Sequence, residues 1–290
     1  MSRISETDLI LNVDGSVYHL NLLPEDIAGT IITVGDPERV REVSKYFDRV
    51  ELKKSKREFI THTGVIGNKR LTVISTGIGT DNIDIVLNEL DALVNIDFQT
   101  RLSRENLQSL DIIRIGTSGA VQADIPLDSL LVSEAAIGLD TLMHYYQFEN
   151  SSGAGLLRDF KAVLPVSSRL EPYLAFADSG LLNSLPDGLQ QGITITAPGF
   201  YAPQGRQMRA GARYAGLMNI VQSFNSGGKR IANLEMETAG IYGLASVLGH
   251  RAISFNVILA NRATQQFSRQ PQEVIDLCIR QVLEKLATSK

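Results

Sequence analysis

The sequence contains only one cysteine, Cys278, among its 290 residues. A single thiol cannot form an internal disulfide or a cysteine-based metal cluster. Cys278 lies on the apolar face of a predicted helix, which favours a buried thiol without a reactive role. The four histidines do not pair with one another at the spacing of metal ligands, so the sequence gives no support for a zinc site.

The chain also lacks an excess of basic charge. Its 28 Lys and Arg residues are outnumbered by 32 Asp and Glu, for a formal net charge of -4, whereas proteins that bind nucleic acid through phosphate contacts are usually basic. Residues 1–8 mix charges, and no apolar stretch reaches the length of a membrane span. We therefore expect a soluble, cytoplasmic protein that binds neither nucleic acid nor a membrane.

Short apolar runs rich in β-branched residues recur along the chain and alternate with helical patterns. This alternation predicts an α/β fold with a large mixed central sheet flanked by helices. The predicted strands include residues 30–34, 60–66, 71–74, 112–113, 130–132, 193–195 and 253–259. No Pro- or Ser-rich linker divides the chain, so we expect a single domain over residues 1–290, with residues 1–16 as an N-terminal extension and residues 97–109 as a surface insertion.

Three helices follow from apolar spacing and from their end signals. Residues 81–95 carry apolar side chains at helical spacing after Asp81, which we expect to be the N-cap. Residues 237–248 end at Gly249, as a helix C-terminus commonly does. Residues 271–286 begin with a proline and place Cys278 on one apolar face.

The segment Arg114-Ile-Gly-Thr-Ser-Gly119 directly follows the apolar residues 110–113. A guanidinium, two hydroxyls and glycine amides within six residues predict a strand that opens into an anion cradle, and phosphate suits these donors best. A tight turn at a strand end is the alternative interpretation.

A second arginine follows the first predicted strand. Gly35-Asp-Pro-Glu-Arg39 precedes a helical pattern over residues 40–47, so Arg39 falls at a helix start, where free amides favour an anion. Arg57 ends the basic run of residues 53–57, for which a solvated charged face is the default interpretation. Taken singly, neither segment identifies a site.

Together, and in this order, five segments resemble the nucleoside phosphorylase family with the trimer-or-hexamer fold: Gly35-Asp-Pro-Glu-Arg39, Arg57-Glu-Phe59, Ser75-Thr-Gly-Ile-Gly79, Arg114-Ile-Gly-Thr-Ser-Gly119 and Glu235-Met-Glu237. The resemblance is closest to the uridine phosphorylase branch. It implies a homo-oligomer, a trimer of dimers with active sites shared between subunits. It also implies that the chain binds a nucleoside and inorganic phosphate.

The resemblance assigns the residues that hold phosphate and ribose. Phosphate would be bound by residues of one subunit together with Arg57 of a neighbouring subunit; those of the first subunit are Gly35, Arg39, Arg114 and Thr117. Glu237 would accept hydrogen bonds from the ribose hydroxyls above Met236, and His19 would reach the sugar in an adjacent subunit's site. An acidic pair at a helix N-terminus is the alternative for residues 235–237.

The segment from Phe200 to Arg206 resembles the loop by which the uridine-specific members recognise uracil. Phe200 would pack near the base, while Gln204 and Arg206 would pair with its amide-like edge, which offers both carbonyl acceptors and an N–H donor. Ser118 and Gly119 would complete the base site. A mobile loop with incidental polar residues is the alternative.

After the last predicted strand, purine-specific relatives usually carry an aspartate at the position of Asn261. A carboxylic acid there can protonate a departing purine, and an amide cannot. Arg262 resembles the arginine that stabilises charge on a departing pyrimidine. The resemblance thus assigns catalysis to Arg114, Glu237, Arg206 and Arg262.

The expected activity is the reversible phosphorolysis of uridine, with deoxyuridine as a further candidate, in pyrimidine salvage. No organic cofactor is implied, since phosphate is a co-substrate; a monovalent cation such as potassium at Glu58 and Ser75 in a subunit interface is implied by some family members. We expect Arg114→Ala to abolish activity and leave the fold intact. Three alternatives stay open: a purine nucleoside phosphorylase, a related nucleosidase and a catalytically silent nucleoside-binding protein.

Overall fold

A computed structural model describes residues 3–149, 151–166, 168–186 and 188–288. Its strands are β1 (Thr30–Val34), β2 (Arg49–Lys56), β3 (Phe59–Ile66), β4 (Lys69–Ser75), β5 (Ile96–Asp97), β6 (Leu102–Ser103), β7 (Asp111–Ala120), β8 (Leu130–Gly138), β9 (Tyr173–Phe176), β10 (Gln190–Thr196), β11 (Asn225–Ser226), β12 (Lys229–Glu235), β13 (Arg251–Asn261) and β14 (Gln266–Phe267). Its α-helices are α1 (Pro37–Ser44), α2 (Thr80–Asn95), α3 (Ala154–Val163), α4 (Ser179–Asn183), α5 (Leu217–Ser223), α6 (Thr238–Leu248) and α7 (Pro271–Thr288).

Twelve of these strands form one mixed sheet, which confirms the predicted fold class. The strand order along its main path is β11-β12-β10-β8-β13-β7-β1-β4-β3-β2, while β14 pairs with β13 and β9 with β8. The parallel strands β1, β7 and β13 lie next to one another near the middle, and β2, β3 and β4 form an antiparallel end. Every strand predicted from β-branched runs lies within this sheet.

One part of the sheet closes on itself. Strand β12 pairs in parallel with β10 and in antiparallel fashion with β7, which lies farther along the sheet. The five strands β7, β13, β8, β10 and β12 therefore form a closed ring, and alternate side chains of each strand face its interior.

The helices bury their apolar faces on the sheet. Helix α2 packs with α6 in one cluster that includes Leu87 and Leu90, and α7 packs against β7, β13 and α1 in another that includes Cys278. The predicted burial of Cys278 is confirmed, and burial raises the pKa of its thiol to about 12. None of the described helices has the length and hydropathy needed to cross a bilayer.

The predicted bounds of two helices need correction. Helix α2 begins at Thr80 with Gly79 as its N-cap, so the prediction that Asp81 is the cap is wrong. Helix α1 begins at Pro37, where the Asp36 carboxylate accepts a hydrogen bond from the amide of Glu38, and it ends at Ser44 instead of extending to residue 47. Helix α6 ends at Gly249 in the left-handed conformation, as predicted.

The segment 97–109 packs against the N-terminal extension. Strands β5 and β6 form a two-stranded antiparallel pair, and Arg101 between them is buried. Its guanidinium donates to the carbonyls of Ile4, Ser5 and Leu9. The division of the chain into a single domain with an extension and an insertion stays a prediction.

Candidate active site

A cavity of about 690 Å³ opens at the carboxyl ends of β1, β7 and β12. This edge of a parallel sheet is where α/β proteins usually bind ligands. Most of the residues assigned from the sequence line this cavity, namely Gly35, Arg39, Glu58, Arg114, Thr117, Ser118, Gly119, Phe200, Gln204, Arg206, Met236 and Glu237.

The segment 114–119 is a strand throughout, so no separate loop follows the strand here, and its role as an anion cradle stays a prediction. Strand β7 continues to Ala120, paired with β13 along its length and with β12 at Gly119 and Ala120. The glycine at 116 serves the arginine instead, because a Cβ there would lie 1.8 Å from Nη1 of Arg114. This segment contributes a guanidinium and hydroxyls to the cavity.

Arg114 is held by two carboxylates. Its Nη2 lies 2.6 Å from Oε2 of Glu237 and 3.0 Å from Oε2 of Glu235, and its Nη1 donates to Asn256 Oδ1 at 3.0 Å. Burial alone would lower the pKa of Arg114, but the two carboxylates outweigh it and raise the pKa above its ordinary value. The guanidinium is therefore charged and fixed in place before any ligand arrives.

Glu235 is a site residue whose role the sequence did not reveal. Its carboxylate accepts hydrogen bonds from the amides of Glu237 and Thr238 and from the hydroxyl of Thr196. It thereby satisfies the free amides at the start of α6 while it pairs with Arg114. An acidic residue just before a helix is typical of a residue that caps the helix amides. No sequence pattern indicated that Glu235 also pairs with Arg114.

Glu237 faces the cavity from the N-cap position of α6. Its Oε1 accepts from the backbone amide of Gly79 at 2.9 Å, and its Oε2 pairs with Arg114. Burial raises the pKa of Glu237, although the charge of Arg114 opposes that shift. Gly79 has φ 97, a conformation that favours glycine. This explains why the Ser75–Gly79 segment ends in a glycine.

Arg39 presents a positive charge to the cavity, with no carboxylate of the described segments in contact with it. It is the third residue of α1 and is half-buried in the cavity wall. Among the described residues its guanidinium makes neither an ion pair nor a hydrogen bond. Burial lowers its pKa, Asp36 offsets this in part, and the charge of Arg114 lowers it further. Two arginines beside each other, one without an acceptor, form a site for an anion.

The loop from Phe200 to Arg206 folds back on itself at the cavity mouth. A 3-10 turn over Ala202–Gln204 ends at Gly205 in the left-handed conformation. Nη1 of Arg206 donates to Phe200 O and to Gln204 Oε1, both at 2.6 Å, and the guanidinium carbon lies 3.7 Å from the centre of the Phe200 ring. Phe200 stays 51% exposed, so its ring remains available to a ligand.

Arg262 and Asn261 do not line the cavity. Arg262 Nη1 donates to the carbonyl of Gln204 at 3.0 Å, so this arginine binds the backbone of the loop from outside the cavity. The Asn261 amide donates to two carbonyls and accepts from two backbone amides, which leaves none of its hydrogen-bonding groups for a base. The expectation that Asn261, as an amide, cannot protonate a departing purine stays a prediction.

Arg57 and His19, assigned to a neighbouring subunit's site, also lie outside their own chain's cavity. Arg57 is exposed in the hairpin between β2 and β3, with its guanidinium carbon 5.8 Å from the Tyr18 ring centre. His19 Nδ1 lies 2.6 Å from Glu89 Oε1. Their placement leaves their roles in another subunit as predictions.

The cation site at Glu58 and Ser75 likewise stays a prediction. Ser75 Oγ donates to the Glu58 carbonyl at 2.5 Å and accepts from the Ile60 amide at 2.8 Å, while Glu58 Oε1 accepts from Asn82. Within the described part of the chain, no group of three or more His, Cys, Asp or Glu residues could hold a metal ion.

Comparisons with known proteins agree with this geometry. The family model for the phosphorylase superfamily matches residues 30–288. The chain is 30% identical over 275 residues to a uridine phosphorylase of Thermococcus kodakarensis, covering 94% of this chain and 88% of that protein. It is 25% identical over 275 residues to a DeoD-type purine nucleoside phosphorylase of Buchnera aphidicola, covering 92% of this chain and 100% of that protein.

A solved structure is similar over nearly the whole chain. The Trypanosoma brucei nucleoside phosphorylase described as showing uridine phosphorylase activity superposes with a TM-score of 0.87 at 29% identity, covering 97% of this chain and 100% of that one. With the family model spanning both the sheet and the cavity residues, the chain belongs to the phosphorylase superfamily.

Proposed function

We propose that the protein catalyses the reversible phosphorolysis of uridine, with deoxyuridine as a further substrate, in pyrimidine salvage. One observation carries the proposal: the uncompensated guanidinium of Arg39 shares a cavity with the Arg114–Glu237 pair and with the Gln204–Arg206 loop. The cavity thus offers cations for phosphate, a carboxylate for ribose and an amide beside a guanidinium for a base.

Phosphate would bind between Arg39 and Arg114, with the Thr117 hydroxyl and the backbone at Gly35 as further donors. Guanidinium forks match phosphate oxygens, and each charge-assisted hydrogen bond contributes about 1.5–3 kcal/mol. Held in this way against the sugar, one phosphate oxygen is positioned to attack the anomeric carbon. Arg57 of a neighbouring subunit would add a third cation.

Substrate binding would exchange the contacts of Arg114 and Glu237. Phosphate takes up donors of Arg114, and the ribose 2′ and 3′ hydroxyls donate to the released Glu237 carboxylate above Met236. His19 of an adjacent subunit would reach the 5′ hydroxyl. As the bond from C1′ to the base breaks, positive charge develops on the sugar, and both the phosphate and Glu237 stabilise it.

The electron pair of the breaking bond passes to the base, which leaves as an anion, and hydrogen phosphate forms ribose 1-phosphate and gives up the proton that converts the anion to free pyrimidine. Gln204 both donates and accepts, and Arg206 only donates, which suits an edge with an N–H between carbonyls. Ser118 and Gly119 line the same cavity. Arg262 would act through the loop, because it holds the Gln204 carbonyl.

The remaining features of the proposal rest on the family. We infer a homo-oligomer, a trimer of dimers, in which Arg57 and His19 complete a neighbouring site, and a cytoplasmic location. No organic cofactor is required for the reaction as written. A monovalent cation such as potassium would bind at Glu58 and Ser75 in the interface.

The test is an ultraviolet assay of the purified protein with uridine, thymidine or inosine, each with and without phosphate. We expect uracil release from uridine that requires phosphate. Release without phosphate would identify a nucleosidase, and turnover of inosine in preference to uridine would identify a purine nucleoside phosphorylase. Calorimetric binding of uridine without any turnover would identify a silent binding protein.

A further inference from the structure

The interior of the closed five-stranded ring is unusually polar for a buried space. Each of its strands contributes at least one buried polar side chain. Five of these, one per strand, are Asn256 of β13, Ser133 of β8, Thr194 of β10, Asn233 of β12 and Ser118 of β7; the first four are fully buried and Ser118 is 9% exposed. Buried polar groups that lack hydrogen bonds destabilise a fold, so such a set must be mutually bonded.

These side chains form one continuous chain of hydrogen bonds that starts at Arg114. The successive distances are 3.0 Å from Arg114 Nη1 to Asn256 Oδ1, 2.9 Å from Asn256 Nδ2 to Ser133 Oγ, 2.5 Å from Ser133 Oγ to Thr194 Oγ1, 2.7 Å from Thr194 Oγ1 to Asn233 Oδ1 and 2.8 Å from Asn233 Nδ2 to Ser118 Oγ. Both ends of the chain line the cavity.

The arginine sets the direction of this chain. A guanidinium has donors and no acceptor, so Asn256 must turn its Oδ1 toward Arg114. The Nδ2 of Asn256 then points to Ser133, whose oxygen accepts. The Ser133 hydroxyl is left to donate onward to Thr194.

The same logic continues to the other end. Thr194 accepts from Ser133 and therefore donates to Oδ1 of Asn233. This fixes the Asn233 amide with Nδ2 toward Ser118, so the Ser118 oxygen accepts. The Ser118 proton is then free to point into the cavity.

We propose that this buried chain positions the Ser118 hydroxyl as a hydrogen-bond donor to the base of the bound nucleoside. Ser133, Thr194, Asn233 and Asn256 are positioning residues that act through Ser118. The proposal rests on the proposed function, since it assumes a nucleoside whose base presents an acceptor at Ser118. Bonds that all donate in one direction polarise one another, which strengthens the last donor.

Thr194 is the best position for a test, because it touches neither end of the chain. In Thr194→Val the Asn233 amide loses its donor and can flip, so that Ser118 donates inward. We expect the nucleoside KM to rise about fivefold to tenfold. The phosphate Kd, measured by calorimetry, should stay within about twofold, since the Asn256–Ser133 link is kept. Thr194→Ser keeps the hydroxyl and should retain the wild-type nucleoside KM.

A double-mutant cycle separates positioning from simple packing. Ser118→Ala removes the donor itself, so Thr194→Val added to Ser118→Ala should raise the nucleoside KM no further. Additive effects, equal losses in Thr194→Val and Thr194→Ser, or an unchanged KM in Thr194→Val would each overturn the proposal.

If Thr194→Val does not fold, Asn233→Asp provides the same test. An ionised carboxylate at 233 can only accept, so at a pH where this group is ionised it obliges Ser118 to donate inward and should reproduce the KM of Ser118→Ala. A wild-type KM in the ionised state would contradict the proposal. A wild-type protein without phosphate-dependent uridine cleavage would refute the proposed function itself, before any variant is compared.

Discussion

Arg39 and Arg114 line the same cavity but differ in what neutralises them. Arg114 contacts the carboxylates of Glu235 and Glu237 and donates to the side-chain oxygen of Asn256. Arg39 has no carboxylate in contact among the described residues, and its pKa is lowered by burial. Arg114 therefore stabilises the fold as well as lining the site, whereas Arg39 is available mainly for a ligand.

This difference predicts unequal effects of two alanine substitutions on stability. Arg39→Ala should raise the phosphate KM about 10-fold or more, through loss of a charge-assisted contact, and leave the free energy of unfolding within about 1 kcal/mol. Arg114→Ala should abolish phosphorolysis and also cost about 3–5 kcal/mol, because two buried carboxylates lose their counter-charge.

Steady-state kinetics at varied phosphate and denaturant unfolding of both variants measure these effects. The sequence alone predicted an intact fold for Arg114→Ala, and the buried ion pairs revise that expectation. An Arg114→Ala protein as stable as the wild type would show that Glu235 and Glu237 are neutralised in some other way.

At the scale of elements, the sequence predicted the strands better than the ends of the helices. Runs of β-branched residues located β1 and β13, because such runs suit a strand buried on both faces. Asp81 looked like a cap, but the N-cap lies two residues earlier at Gly79, which has φ 97 and donates its amide to the distant Glu237.

The sequence predicted those site residues that lie in short recognisable motifs. It did not predict contacts that form between residues far apart in the chain. The segments around Arg39, Arg114 and Glu237 place their residues in the cavity as predicted. Asn256 lies in the middle of a buried strand, and its contact with Arg114 joins residues 142 positions apart. Pairing between distant strands creates that contact, so no local pattern could have revealed it.

The loop of residues 200–206 depends on one backbone conformation. Gly205 has φ +70, and a Cβ there would lie 2.4 Å from Cγ of Met218. This turn brings Arg206 back onto Phe200 and Gln204. A change at this glycine should therefore disturb base binding and leave the phosphate end unaffected.

We expect Gly205→Ala to raise the nucleoside KM about fivefold or more, with an unchanged phosphate KM. Gly227→Ala is the matched control, since Gly227 has φ +58 with nothing within 4 Å of its Cβ position. Both substitutions carry a left-handed backbone penalty of about 1–2 kcal/mol. Kinetics and thermal unfolding of both variants separate the loss of base binding from the backbone penalty. The same nucleoside KM in both variants would show that the loop tolerates a Cβ against Met218.

At the scale of the whole molecule, the cavity of one chain contains most but not all of the assigned residues. Arg57 and His19 lie outside it, on the surface or against Glu89 of the same chain. If a neighbouring copy supplies Arg57, a complete site needs intact residues from two different chains, and two defective chains can then complement each other.

Mixing two inactive variants tests this directly. Arg57→Ala removes the residue that a chain supplies to its partner's site. Glu237→Gln removes the carboxylate from the chain's own site. After dissociation and reassembly, half of the dimers are mixed and each has one intact site, so about a quarter of the wild-type activity should return. Arg206→Ala mixed with Glu237→Gln is the control, because both residues belong to the same chain's cavity and no mixed dimer regains a complete site. Equal activity in the two mixtures would place Arg57 within its own chain's site.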